Sequence, residues 1–308
     1  MRPGWTAGVT RGRLLLSRTI GAEHARSIAG APSLADGIAI LAGSAYGERV
    51  QPREDLAAAE RAVGNTLLWH LRILAGWLPA AGAGVVRALA AWFELANIDA
   101  RLAALASDGR EPPPYELGAL ATAWPRIDPA RTVEDVAHAI AGSAWAPVAG
   151  RSTAELALAL RVAWARRVRD AAPEASDWVA GAGALLVARE LLIAGGREHS
   201  EQLRRLPDVG EAPLASASLV DIRAALPARA AWALADVDEP SELWRAELGW
   251  WVRVEREARA LLLTGSDESA VIAAVTLLAA DAQRTARALR AAAGGGHPAL
   301  VELVDAAA

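Results

Sequence analysis

The chain has 308 residues, of which 53% are hydrophobic and 22% are charged, and its formal net charge is −4. This composition predicts a globular protein with a large core and argues against a disordered chain. The slightly acidic balance argues against a general nucleic-acid-binding protein, which is normally basic overall or carries a long basic stripe. The sequence has no Cys, which excludes disulfides and thiolate chemistry.

The first predicted element is a short capped helix that starts at Ser33. Ser33 and Asp36 fit a capping-box pattern, in which the hydroxyl accepts a free backbone N–H and the acid faces the positive end of the helix dipole. Apolar residues at helical spacing follow, and Gly43 is expected to end the helix. Tyr46 comes next as a buried aromatic plug.

This pattern occurs twice more in the chain. Thr132 and Asp135 begin the second copy, which repeats the stretch Ala-Gly-Ser-Ala and places Trp145 where the first copy has tyrosine. Ser218 and Asp221 begin a third copy, whose aromatic residue comes one position late. Similar starts about a hundred residues apart predict a repeat architecture.

Longer segments between the copies predict amphipathic helices. The 3.6-residue period runs through 59–78 and 241–263. Further helices are expected at 79–105 and 271–290. No segment shows the two-residue alternation that is typical of strands. The sequence therefore predicts an all-α fold.

Proline and glycine interrupt the helical pattern at 110–116 and at 206–213, which predicts boundaries there. With the three capped helices, these boundaries predict a single domain over 1–308, built from three degenerate helical repeats of about a hundred residues. The predicted repeat units are approximately 1–109, 110–207 and 208–308.

The longest apolar runs, 178–188 and 271–280, are about half the ~20 residues that a membrane-spanning helix needs. Residues 1–25 lack the apolar core of a signal peptide. We therefore expect a soluble, cytoplasmic protein that reaches a membrane only through contacts with other proteins.

No set of residues matches a known catalytic or metal-binding pattern. The five His residues include no HExxH pattern or close pair. Glycines at 82–84 and 181–183 lack the strand and the third glycine of a dinucleotide turn. The acidic segment 236–240 has no second cluster with which to hold magnesium, as helical terpene synthases require. We therefore predict no catalytic, cofactor-binding or metal-binding residues and no enzymatic activity.

The 12 Trp residues lie mostly at helical spacings among apolar residues. Packing in the core or between helices is the expected role, with each indole N–H finding a partner. A Trp-lined ligand pocket is the alternative. The basic segment 161–169 is interpreted first as a solvated helix face and second as a contact surface for an acidic partner.

A second motif lies about fifty residues after the first capped helix, where Glu94 and Asn97 form an acid-x-x-Asn pattern. Three helical repeats, a capped helix leading to Tyr46, and this pattern resemble the C subunit of archaeal and bacterial A/V-type rotary ATPases, called subunit d in the vacuolar enzyme. The segment 280–289 lies where that family has a similar acid-to-arginine helix. The middle unit departs from the pattern, because it keeps Glu190 but has no Asn after it.

The resemblance implies a pseudo-threefold helical funnel without an active site. Such a subunit is a socket between the central stalk and the membrane proteolipid ring, and it transmits torque for proton or sodium transport. Its implied location is peripheral, on the inner face of the cell membrane. Two alternatives stay open, a stand-alone helical adaptor of the same fold and an all-helical small-ligand-binding protein.

Overall fold

A computed structural model describes residues 3–107, 111–148, 150 and 152–297 of the chain. It is 73% helical and has no strand within these ranges, which confirms the predicted all-α class. The α-helices are α1 (Thr6–Leu16), α2 (Gly21–Ala29), α3 (Leu34–Leu41), α4 (Leu56–Gly76), α5 (Ala80–Ala90), α6 (Trp92–Ser107), α7 (Trp124–Ile127), α8 (Val133–Ala141), α9 (Thr153–Ala171), α10 (Ser176–Arg189), α11 (Ser200–Leu203), α12 (Leu219–Ala225), α13 (Ala228–Ala231), α14 (Leu243–Thr264) and α15 (Glu268–Ala293).

Short turns of other helix types connect these elements. A π-helical turn, Glu190–Ala194, continues α10 and ends at Gly195, which has a left-handed φ of 70°. The 3₁₀ turns are Pro3–Trp5, Gly118–Leu120, Pro173–Ala175, Arg197–His199, Ala212–Ala215, Trp232–Leu234 and Pro240–Glu242.

The chain divides into two compact units. Unit 1 comprises Met1–Val86 and Trp251–Ala308, and unit 2 comprises Arg87–Trp250. Unit 1 is therefore discontinuous in sequence, since its first and last segments flank the whole of unit 2.

In unit 1, α15 packs against α1, α2, α3 and α4. Residues 271–275 of α15 are each at most 3% exposed, as expected for a helix that is apolar on all sides. Two glycines allow the close approach of its neighbours. A Cβ on Gly12 of α1 would lie 3.2 Å from the Ala274 Cβ, and one on Gly37 of α3 would lie 2.9 Å from the Ala292 Cβ.

In unit 2, α10 packs against α9 and α13. Its small residues, including Ala180, Ala184 and Ala188, are completely buried in the core of this unit. A Cβ on Gly181 would lie 2.5 Å from the Trp232 ring, so only glycine allows this tryptophan to lie against α10. The core of unit 2 thus depends on small residues facing a large aromatic side chain.

Of the two predicted repeat boundaries, the structure describes only the second. The boundary at 109/110 lies outside the described residues. At the boundary at 207/208, Leu206 and Val209 are both buried in the core of unit 2. The division into 1–109, 110–207 and 208–308 within a single domain stays a prediction.

Candidate functional site

The structure places all three predicted hydroxyl residues at helix N-caps with extended backbone. In each, the hydroxyl oxygen accepts a hydrogen bond from the backbone N–H three residues later, at 3.0–3.2 Å. Each bond satisfies one of the free donors of the first helical turn. The pairs are Ser33 with Asp36, Thr132 with Asp135, and Ser218 with Asp221.

The acidic members of these pairs are not equivalent. The Asp135 carboxylate accepts the backbone N–H groups of Arg131 and Thr132, which completes a reciprocal capping box. The bond from Arg131 is the main cause that lowers the pKa of Asp135. Asp36 and Asp221 instead accept the hydroxyl of their own cap serine. The second copy therefore has the most complete cap.

The repeated Ala-Gly-Ser-Ala stretch has a defined hydrogen-bonding role. Helix α3 ends at Leu41, and the Ser44 hydroxyl donates to the Leu41 carbonyl at 2.7 Å, so Ser44 rather than Gly43 makes the terminating contact. The Tyr46 backbone N–H then donates to the Ser44 oxygen at 3.2 Å. Ser143 makes the same two bonds in the second copy, at 2.7 and 3.1 Å. The serine thus turns the chain so that the aromatic side chain points inward.

In unit 1 the aromatic residue reaches a buried carboxylate on α15. The Tyr46 hydroxyl donates to Asp281 Oδ2 at 2.9 Å, and both residues are at most 3% exposed. The same carboxylate accepts the backbone N–H groups of Ile20 and Gly21, at 3.1 and 3.0 Å. Arg284 Nη1 lies 3.7 Å from Asp281 Oδ1. We call these five residues the Asp281 cluster.

Burial raises the pKa of Asp281, and the bonds from Gly21, Ile20 and Tyr46 oppose this effect. Burial, followed by the charge of Asp281, raises the pKa of Tyr46. The tyrosine is therefore a neutral donor at ordinary pH. Its hydroxyl joins the end of the first capped helix to α15.

In unit 2 the aromatic residue reaches a different buried carboxylate. The Trp145 indole N–H donates to Glu94 Oε2 at 2.8 Å, and both residues are 1% exposed. Glu94 Oε1 accepts the backbone N–H groups of Thr122, Ala123 and Trp124, at 2.7–2.8 Å. We call these five residues the Glu94 cluster. In addition, the Arg167 guanidinium lies 4.3 Å from the centre of the Trp145 ring, within cation–π distance.

Both carboxylates act as N-caps supplied from another helix. Helix α2 begins at Gly21 and helix α7 begins at Trp124, and neither has a side-chain cap of its own. Asp281 and Glu94 supply the missing acceptors, and negative charge at a helix N-terminus is favourable. Each carboxylate thus links three elements: the long helix that carries it, the turn after a capped helix, and the N-terminus of a helix that lacks a cap residue of its own.

Asn97, one turn after Glu94 on α6, holds the next part of the same segment. Its side-chain amide donates to the Tyr115 carbonyl at 3.0 Å and accepts the Tyr115 N–H at 2.7 Å. The two motif positions together therefore fix the segment 115–124 against α6. The sequence placed Glu94 and Asn97 in one motif but did not identify what they bind.

The third copy lacks this arrangement. The Trp232 indole N–H donates to the Arg229 carbonyl at 2.9 Å, within its own turn. Glu190, the acid that the middle unit keeps, lies 3.6 Å from His199 Nδ1, beside the π-helical turn. The third copy therefore has the helix cap of the other two copies, but it lacks their contact between an aromatic donor and a buried carboxylate.

Sequence reasoning missed Asp281 and the backbone of 20–21 as members of the Asp281 cluster, and it missed the contact of Arg167 with the Trp145 ring. Asp281 lies inside the acid-to-arginine segment 280–289, so this segment was the one available signal. Its contact with Tyr46 spans 235 positions along the chain, and no local pattern reports such a pairing.

The geometry of both clusters suits a structural role. In the Glu94 cluster, Oε1 accepts three backbone N–H groups and Oε2 accepts the indole N–H of Trp145, so this carboxylate holds four donors in place. Within the described ranges no group of three or more His, Asp or Glu residues is arranged to hold a metal ion. No helix in the described part of the chain is long and apolar enough to cross a bilayer.

A groove of about 240 Å³ in unit 2 is one concave surface at which a small ligand could bind. Its lining includes Pro147, Glu155, Arg166, Gln202 and Arg205, and contains no Trp. Charges of both signs line it. This groove therefore does not correspond to the Trp-lined pocket of the small-ligand alternative.

Comparison with known proteins gives no assignment. No known protein-family model matches the chain, and no curated protein matches it either.

Proposed function

We propose that the protein is a non-catalytic coupling subunit of an A/V-type rotary ATPase. In this role it is a socket that links the central stalk to the membrane proteolipid ring and transmits torque for proton or sodium transport. The proposed architecture is three degenerate helical repeats arranged as a pseudo-threefold funnel. The proposed location is the cytoplasmic face of the membrane, held there by protein contacts.

The observation that carries this proposal is the pairing of Tyr46 with Asp281 and of Trp145 with Glu94. Two of the sequence repeats end in an aromatic donor that meets a buried carboxylate on a long helix. Three of these positions, Tyr46, Trp145 and Glu94, belong to the motifs that resemble the C subunit. The fourth lies in the segment 280–289, which has a counterpart in that family.

The physical character of the clusters suits torque transmission. Asp281 accepts three hydrogen bonds and Glu94 accepts four, so displacement of either carboxylate leaves several donors unpaired and is costly. Helix junctions fixed in this way resist bending and twisting. A subunit that transmits torque needs such rigidity and needs no titratable catalytic group.

The experiment is affinity purification of the tagged chain from gently solubilised native membranes, followed by mass spectrometry. An unrelated tagged helical protein, expressed at the same level, controls for non-specific capture. Recovery of P-loop ATPase subunits, stalk subunits and the small ring proteolipid supports the proposal. The proposal is overturned if the purified chain binds neither the stalk subunits nor the ring of its own organism.

A stand-alone adaptor of the same fold is the second candidate, and the third copy favours it. Trp232 bonds within its own turn, and Glu190 lies beside His199 instead of an aromatic donor. Two of the three copies form a cluster and the third does not, which is expected where a protein has changed partners. Recovery of a single stable partner outside any ATPase would support this candidate.

A further inference from the structure

The groove of about 240 Å³ in unit 2 is built from two helices and one connecting segment. Helix α9 contributes residues that recur every three to four positions and therefore lie on one stripe of the helix: Glu155, Ala159, Val162, Ala163 and Arg166. Helix α11 and the residues after it contribute Glu201, Gln202 and Arg205. The segment after Trp145 contributes Pro147, Val148 and Gly150.

These walls are held in place by the core of unit 2. Helix α9 packs against α11, and Val162 and Leu203 from the two helices belong to one buried cluster. A Cβ on Gly150 would lie 2.9 Å from the Glu155 Cβ, so the connecting segment packs directly against the first turn of α9. The groove is therefore pre-formed, as small-ligand sites usually are.

Apolar side chains form part of the groove surface. Ala159 and Ala163 carry only a methyl group, and Val148 and Val162 are buried beside them. Small-ligand sites usually have volumes of about 300–1,000 Å³, so a groove of about 240 Å³ suits a single small apolar group.

The charges around the groove leave one cation uncompensated. Glu201 and Arg205 lie 3.6 Å apart and pair with each other. Arg166 is exposed, and among the described residues its guanidinium forms no ion pair or hydrogen bond. Glu155 is far from it on the same helix, since 11 positions correspond to about 16 Å along the axis. The Arg166 end of the groove therefore attracts a carboxylate.

Gln202 supplies an acceptor that the protein does not use. Its side chain lines the groove, and its Oε1 atom is buried without a hydrogen-bond partner in the described part of the chain. The last torsion of a glutamine side chain is broad, so a small rotation presents this oxygen to the groove. An N–H donor on a ligand would remove the cost of leaving it unpaired.

We propose that this groove binds the C-terminal residue of a peptide or the equivalent N-acyl amino acid, with a small apolar side chain. Arg166 binds the carboxylate, for which a guanidinium offers two parallel N–H donors. Gln202 Oε1 accepts the amide N–H, and the valine and alanine side chains contact the apolar group. The site is independent of the proposed coupling role, so either can fail without the other.

Isothermal titration calorimetry at neutral pH tests the site and separates the two sources. The probes are N-acetyl-L-valine and an acetylated peptide of sequence Ala-Ala-Ala-Val, and N-acetyl-L-valinamide, which lacks the carboxylate, is the matched control. Both acids are expected to bind more tightly than the control. A tighter peptide indicates that a peptide is the source, and equal affinities indicate the N-acyl amino acid. Binding of neither acid, or equal binding of the control, overturns the proposal.

Arg166→Gln tests the cation. Because this exposed side chain has no partner among the described residues, the variant keeps the fold, and its affinity for N-acetyl-L-valine is expected to fall about tenfold, the value of one charged hydrogen bond. Arg169→Gln is the matched control, since Arg169 lies on the same helix outside the groove and pairs with Asp170 at 3.0 Å. Equal weakening in the control overturns the proposal.

Gln202→Leu tests the acceptor and separates binding from stability. Because the Gln202 Oε1 atom has no partner in the described protein, the melting temperature is expected to stay the same or rise. The affinity for N-acetyl-L-valine is expected to fall about tenfold, because the amide N–H of the ligand is then left unpaired. Unchanged affinity in this variant contradicts the proposal, whatever happens to its melting temperature.

Discussion

In unit 1 the Asp281 carboxylate receives a tyrosine hydroxyl, whereas in unit 2 the Glu94 carboxylate receives a tryptophan indole N–H. Both carboxylates also cap a helix that has no cap of its own. Glu94 accepts three backbone N–H groups, while Asp281 accepts two and has Arg284 nearby. The two clusters therefore have the same role but different donor sets.

The donor sets differ in how they tolerate change. An indole N–H can only donate, so the Glu94 cluster consists of four donors that all need a carboxylate oxygen. A tyrosine hydroxyl can donate or accept, so Tyr46 can still bond to Asp281 when that carboxyl carries a proton. We expect the hydrogen bonds of the Asp281 cluster to tolerate protonation of the carboxyl better than those of the Glu94 cluster.

The largest expected difference in lost unfolding free energy is between Glu94→Ala and Asp281→Ala. Removing Glu94 leaves four donors without an acceptor, two of them backbone groups in fully buried positions, and should lower the free energy of unfolding by about 3–5 kcal/mol. Asp281→Ala should cost less, because its backbone donors are only partly buried and can bind water. Urea unfolding followed by far-UV circular dichroism measures both. An equal or larger loss for Asp281→Ala would remove the proposed difference.

The aromatic donors should follow the same order. Trp145→Phe removes a charged hydrogen bond and one of the two fused rings of a side chain that is 1% exposed, and it weakens the cation–π contact with Arg167. It should cost about 2–4 kcal/mol. Tyr46→Phe removes one hydrogen bond with little change of volume and should cost about 1.5–3 kcal/mol. The same unfolding measurement compares them. If Tyr46→Phe lowers the unfolding free energy more than Trp145→Phe does, the expected order of the two clusters is wrong.

The raised pKa of Asp281 predicts a pH dependence in unit 1. The stability that this group contributes is fully present below its ordinary value of 3.8, and it is lost as the pH rises through the folded-state pKa. The unfolding free energy of the wild type minus that of Asp281→Asn should therefore fall with rising pH. The fall is about 1.4 kcal/mol for each pH unit by which folding raises the pKa of Asp281. Tyr46→Phe, which keeps the titrating carboxyl, should retain the dependence. A pH-independent difference would contradict the assignment.

The smallest expected difference is between the helix caps. Thr132→Ala breaks a complete capping box and should cost about 1–2 kcal/mol, whereas Ser33→Ala should cost about 0.5–1 kcal/mol. Ser218→Ala is the matched comparison for Ser33→Ala, because both serines donate to the acid of their own cap. Thermal unfolding of the three single variants measures the ranking. A larger loss for Ser33→Ala would show that the box at Thr132 adds nothing.

The sequence predicted those features that depend on neighbouring residues. The pattern at Ser33, Thr132 and Ser218 places a hydroxyl three residues before an acid, and that spacing alone determines the N-cap bond. The all-α class followed in the same way from the apolar period. These predictions needed no knowledge of which helices meet.

The cluster contacts needed that knowledge. Tyr46 and Asp281 are 235 positions apart, and their bond depends on how α15 packs against the first three helices. Likewise, Trp232 has the same place in its repeat as Trp145, yet it lies against Gly181 and bonds to the carbonyl of Arg229. Packing decides which acceptor an indole meets, and the repeat pattern does not contain that information.

The discontinuity of unit 1 has a consequence for protein synthesis. Asp281 leaves the ribosome 261 positions after Ile20, so the first helices wait on the order of tens of seconds for their partner. During that interval the apolar faces of α1 to α4 lack α15, and the whole of unit 2 is translated. Unit 2 can therefore fold cotranslationally, whereas unit 1 can be completed only when the final helix emerges.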